Sequence, residues 1–148
     1  MRFGLLAVVL GACASQHMSH LDGPVDYDIE GGFARTRTSV HLELDGSVTK
    51  QVTTGSGPTM TSRAMVAATA MAELRDDIAG VDLASLRDSY SCADFACGGA
   101  DFPVVTLTIA ADGSPKQIRV DRGISEHDLP AGLVAILADL DAIVSQIP

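Results

Sequence analysis

From residue 25 the chain alternates, with Val25, Tyr27 and Ile29 apolar and Asp26, Asp28 and Glu30 acidic between them. A period of two is the pattern of a strand with one buried face, so residues 25–30 predict a first strand whose carboxylates face water. Gly31-Gly32 marks a bulge or sharp bend before Phe33, because glycine enters backbone conformations closed to other residues. Alternation resumes at Val40, Leu42 and Leu44. Asp45-Gly46 is a turn pair favoured in two-residue hairpins, and Val48 to Val52 forms the return strand. Residues 53–60, TTGSGPTM, read as a loop. From about Ser62 the period lengthens: Ala64, Ala67, Ala68, Met71, Leu74, Ile78 and Val81 recur every three or four positions, which predicts an amphipathic helix ending near Gly80. Leu83 and Leu86 predict a short further turn over the core, and Met65 and Met71 are expected as core filler.

The second half repeats this grammar. After SCADFACGGAD, residues 91–101, a new sheet unit starts at Phe102, with Val105, Leu107 and Ile109 facing one way, a turn at Asp112-Gly113, and Ile118 and Val120 on the return. A last helix is expected with Asp128 as its cap and Pro130 in its first turn, where a missing amide proton costs nothing. Leu129, Leu133, Ile136, Leu137, Leu140, Ile143 or Val144, and Ile147 would line its inner face. The expected fold is α+β: a two-layer sandwich in which an antiparallel sheet of about five strands carries two helices on one face, in the order β-β-β-α-β-β-α.

Length and composition bound this picture. A chain of 148 residues suits one ordinary domain plus a targeting segment, and an apolar share of 47% supports a packed core. The formal charge is −9, and the ten Lys and Arg are scattered without aromatic interleaving, which excludes nucleic acid as a partner.

The amino terminus changes the picture most. Arg2, the apolar stretch Phe3 to Leu10 and the small pair Gly11-Ala12 before Cys13 read as a short signal peptide over residues 1–12. The apolar run is about half the roughly twenty residues a helix needs to cross a bilayer. Leu10-Gly11-Ala12-Cys13 resembles the lipobox of bacterial lipoproteins. The alternative is an ordinary secretory signal followed by a chance cysteine. The resemblance implies cleavage before Cys13, a thioether from its thiol to diacylglycerol, further acylation of the new amino group, and a membrane partner held through that anchor. Two or more acyl chains make release negligible, whereas one holds only marginally. Ala14 after the cysteine, where aspartate would favour the inner membrane, points to the outer membrane of the envelope, facing the periplasm or the cell surface. Residues 13–23 then comprise the lipidated cysteine and a flexible polar tether, and residues 24–148 a single domain.

With Cys13 consumed by lipid, Cys92 and Cys97 remain as an even pair in an oxidising compartment, where a structural disulfide is the expectation. A metal or redox pair is the alternative, although Cys-x4-Cys is not the Cys-x2-Cys spacing of zinc or thioredoxin-like sites. His17, His20 and Asp22 have spacing that could gather ligands on one turn, but a tether does not preorganise them.

Catalytic patterns are scarce. No Gly-x-Ser-x-Gly elbow and no P-loop occurs, His41 alternates outward on a strand, and His127 lies between Glu126 and Asp128 at a helix start, where capping competes with acid–base chemistry as an explanation. No catalytic residue, metal site or cofactor is therefore expected. Gly31-Gly32-Phe33-Ala34 and Cys97-Gly98-Gly99 are expected to shape an exposed edge for an envelope protein partner. Ile29-Glu30-Gly31-Gly32-Phe33-Ala34, the sheet-then-helix order and Leu129-Pro130 before the last helix also resemble small emfourin-type inhibitors of thermolysin-like metalloproteases. That resemblance implies a protease-binding role. The family's Gly-Gly-Phe-Ala-Gly start has Arg35 at its fifth place here, and no inhibitory residue is carried over.

Overall fold

The computed structural model describes residues 18–32, 35–98 and 101–148. Cys13 and His17 lie outside the described residues, and so do Phe33, Ala34 and Gly99. Among the described residues seven strands and two α-helices form: β1 (Leu21–Gly31), β2 (Thr36–Leu42), β3 (Ser47–Thr54), β4 (Met60–Met65), α1 (Ala68–Ala79), β5 (Ser89–Tyr90), β6 (Val104–Ala111), β7 (Ser114–Asp121) and α2 (Ala131–Gln146). They make one sheet in the order β4-β3-β2-β1-β6-β7-β5, antiparallel except where β5 runs parallel to β7.

The class is α+β as expected, but the strand count is higher for two reasons. Residues 60–65, expected as loop end and helix start, form β4, pairing Val48 with Ala64 and Lys50 with Ser62. Ala64 thus serves a strand face although its spacing also fits a helix, and α1 starts only at Ala68. Met65 is not core filler: it is 67% exposed at the end of this edge strand, while Met71 is buried. Two residues, Ser89 and Tyr90, add β5, too short for periodicity to reveal. β1 starts at Leu21, ahead of the expected Val25, with a register shift between these two residues. Leu44 leaves the alternation and is exposed in the turn after β2.

One sheet face carries Val25, Tyr27, Val40, Leu42, Val48, Val105, Leu107, Ile109, Ile118 and Val120, all buried. α1 closes over it with Met71, Leu74 and Ile78, and α2 with Leu133, Ile136, Leu137, Leu140 and Ile143. Leu83 and Leu86 are buried in and after the 3-10 turn Leu83–Ser85. Asp128 does not cap α2. It ends the 3-10 turn Glu126–Asp128, its N–H donating to Ser125 O at 2.9 Å. The extended Leu129 follows, and Pro130 occupies the N-cap without a side-chain bond. At the other end of α2, Lys50 Nζ donates to Ile147 O at 2.6 Å and to Val144 O at 3.4 Å, placing a cation at the negative end of the helix dipole.

The two helices meet at a carboxylate cluster. Asp139 of α2 has a buried Oδ2 without a hydrogen-bond partner among the described residues. Desolvation holds its pKa above the usual carboxylate value, with Asp77 and Glu73 of α1 adding repulsion. A raised acid pKa favours the folded state at low pH, and that contribution fades as pH climbs through the folded value. Asp139→Asn should flatten this fall and raise neutral-pH stability by about 0.5 kcal/mol or less, because the residue is only half-buried and solvent screens the repulsion. Urea midpoints from mildly acid to neutral pH measure it, and an unchanged pH slope would count against the cluster.

Candidate functional site

The register sorts the loops to two ends of the sheet. β1 enters beside the turns at Asp45-Gly46 and Asp112-Gly113, because Val25 pairs with Leu42 and Leu21 with Ala111. There His20 N–H donates to Asp112 Oδ1 at 3.0 Å and Asp22 Oδ2 accepts from Gly113 N at 2.6 Å, so both residues brace the β6–β7 turn. Among the described residues no three His, Cys, Asp or Glu side chains are grouped to hold a metal ion.

The opposite end is a continuous rim. Gly31 and Gly32 have φ of 120° and 80°, and Arg35, with φ 48°, donates its N–H to Gly32 O at 3.0 Å. Gly55 N then donates to Arg35 O at 3.1 Å, tying in the β3–β4 loop. A Cβ on Gly31 would stand 3.3 Å from Pro103 Cα, so the absence of a side chain lets this corner approach the segment before β6. Phe102, 43% exposed, lies on Gly123, where a Cβ would come within 2.6 Å of its ring. Arg122 N donates to Pro103 O at 3.0 Å, Gly98 N to Gly123 O at 3.1 Å, and Cys97 bridges to Ile124. The two glycine segments expected to shape an edge thus reach the same end, some 65 residues apart in sequence. Cys92 and Cys97 are disulfide-bonded with Cα atoms 5.5 Å apart. Their loop is also held by Cys92 N–H on Asp121 Oδ2 at 2.9 Å, while Phe95 lies 6.0 Å from the Tyr90 ring with Arg87 5.5 Å from its centroid.

Beneath the rim, Tyr27 carries a polar group into the core. Its hydroxyl donates to Asp141 Oδ1 at 2.5 Å and accepts from Arg122, whose Nη2 also lies 2.7 Å from Asp141 Oδ2. Burial, and the bond to Asp141, push the Tyr27 pKa far above its ordinary value.

The sheet face turned away from the helices is polar in every row. Across β3, β2, β1, β6 and β7, one row reads Thr53, Arg37, Glu30, Val104, Asp121; the next Gln51, Ser39, Asp28, Thr106, Arg119; the third Thr49, His41, Asp26, Thr108, Gln117. Ser39 and His41 are neighbours here without forming a nucleophile–base pair. Ser39 Oγ donates to Asp28, while His41 Nδ1 meets Asp26 at 2.6 Å and Nε2 meets Glu43 at 3.1 Å. With carboxylates on both ring nitrogens, Asp26 first, His41 is held protonated to a higher pH than usual. His127 is exposed in its 3-10 turn, where its backbone N–H donates to Ser125 Oγ at 3.4 Å.

Sequence reasoning located the two glycine segments and the outward acids but missed Arg119, Arg122 and Asp141. Their partners stand across the sheet or on a distant helix, and no local pattern announces them. No helix among the described residues is long and apolar enough to cross a membrane. No protein-family model matches the chain, and no curated protein matches it in sequence.

Proposed function

We propose that the chain is a lipid-anchored envelope lipoprotein whose domain binds a protein partner, without catalysis, through the rim at Gly31-Gly32, Phe102 and Cys97-Gly98. The observation that carries this reading is the placement of the rim. The described chain begins at the end of the sheet bearing the Asp45-Gly46 and Asp112-Gly113 turns, so an anchor at Cys13 tethers that end and directs the rim away from the bilayer. The rim combines the part-exposed ring of Phe102 with glycine backbone open to a partner, in loops carried by a rigid sheet, a common arrangement for recognition.

Two measurements on the native protein test it. Mass spectrometry should find the mature chain beginning at Cys13 with diacylglycerol on its sulfur; an unmodified thiol, or residues 1–12 retained, overturns the anchor. A photo-crosslinker at position 102 should give discrete protein adducts in intact envelopes, whereas one at position 45 should not. Equal labelling at both positions would remove the rim from the account.

A second reading, an envelope protease inhibitor of emfourin type, draws on one observation: Gly31 and Gly32, which carry much of that resemblance, stand at the rim with positive φ. Titration against a thermolysin-like protease separates the two, since only an inhibitor removes activity in proportion to the amount added.

A further inference from the structure

The open sheet face holds a depression of about 470 Å³ lined by Asp28, Glu30, Arg37, Val104, Thr106, Gln117 and Arg119, directly below the rim on the polar face and separate from the protein-binding role assigned to the rim. Its charges are balanced, two carboxylates against two guanidiniums, but they are not all used internally. Arg37 lies 3.8 Å from Asp28, which also accepts from Ser39. Glu30 and Arg119 are exposed and have no ion pair among the described residues. They face each other obliquely across β6, one row apart, because Glu30 pairs with Val104 while Arg119 pairs with Thr106. Strand spacing sets their backbones roughly 10 Å apart laterally, and no ion pair joins them among the described residues.

A wholly anionic or wholly cationic ligand would meet as much repulsion as attraction here. A ligand with separated, opposite charges gains more attraction than repulsion if its ammonium lies at Glu30, whose cross-strand neighbour Arg37 leans to Asp28, and its carboxylate at the guanidinium fork of Arg119. Two or three extended residues span about 7–10 Å, which suits this separation. The floor between the two charges is β6, with Val104 and the Thr106 hydroxyl, the latter able to bond a peptide N–H or C=O, while the Gln117 amide stands one row beyond Arg119. A volume of this size lies within the ordinary range of small-ligand sites.

We propose that this depression is a binding site for a short zwitterionic peptide of two or three residues with free amino and carboxyl ends, oriented with its amino end over β1 and its carboxyl end over β7. Calorimetric titration of the full-length protein in detergent micelles with tri-alanine tests it. Saturable binding is expected below roughly 1 mM. It should weaken about tenfold or more when the peptide is C-terminally amidated, when it is N-acetylated, and in Arg119→Ala. Glu30→Gln should weaken the free peptide but leave the acetylated one unaffected. Both side chains are exposed, so these variants keep their fold, and unchanged thermal melting checks this. Absence of saturable binding, or binding equally strong for the doubly blocked peptide or in Arg119→Ala, overturns the proposal. Either result leaves the rim crosslinking experiment to judge the protein-binding role by itself.

Discussion

Leu107→Ala is expected to destabilise the domain by about 2–5 kcal/mol, while Thr106→Ala, one residue earlier, should stay within about 0.5 kcal/mol of the parent. Both lie on β6 between β1 and β7, so backbone pairing is the same for the two. The difference is the face. Leu107 is fully buried between Tyr27 and Ile118 beneath the helix layer, and removing its branched end leaves a cavity that packed neighbours fill only in part. Thr106 faces the polar side, where water replaces whatever is removed. Small domains are stable by only about 5–15 kcal/mol, so the first substitution takes a large share. Urea denaturation of the two variants measures the difference. Similar losses would mean that the register places β6 wrongly, since a slip by one residue exchanges the two faces.

Tyr27→Phe should cost about 1–3 kcal/mol, because it deletes a hydroxyl that both donates to Asp141 and accepts from Arg122 at the edge of the core. Asp141→Ala should cost a similar amount by leaving the buried hydroxyl without its acceptor and Arg122 without its ion pair. The double variant should lose less than the two single losses combined, since the substitutions dismantle one network. A pH signature separates this from simple packing loss. Burial keeps the Tyr27 proton on the folded protein above the ordinary value of 10.0, while the unfolded chain releases it there. Stability is therefore fully present below that value and falls above it by about 1.4 kcal/mol per pH unit for this one proton. Tyr27→Phe should show an alkaline limb shallower by that amount, and identical limbs would place the hydroxyl in water.

The two groups of glycines show how far a local pattern reaches. Gly31-Gly32 was legible as a bend because a glycine pair after an alternating strand has few other uses. That it would stand at the same end as Gly98 was not legible, since this depends on β1 and β7 flanking β6 with their far ends level. His41 was read correctly as outward on its strand, yet nothing near it in sequence shows that Asp26, fifteen residues earlier, is its cross-strand partner. Met65 and Ala64 went the other way. A three-and-four spacing of small apolar residues fits a helix, and only pairing with β3 showed that residues 60–65 complete a sheet edge. The Cys92–Cys97 pair was legible only as the even pair left over once Cys13 is assigned to lipid, and it is the fold of residues 91–98 that brings their Cα atoms to 5.5 Å.

The sequence by itself determined the buried faces of β1, β6, β7 and α2, where the Asp-Gly turns fall, that two amphipathic helices accompany two hairpin units, and that the class is α+β. All of these are properties of neighbours within a few residues, where side-chain period and turn chemistry act directly on the backbone. Tertiary structure alone decided the seven-strand order, the assembly of the rim, the Tyr27–Arg122–Asp141 network and the placing of Glu30 and Arg119 on either side of β6. These join residues up to 114 positions apart, and their proximity comes from burying one shared apolar face, which constrains composition and period at each site but not which distant polar partner will lie beside it.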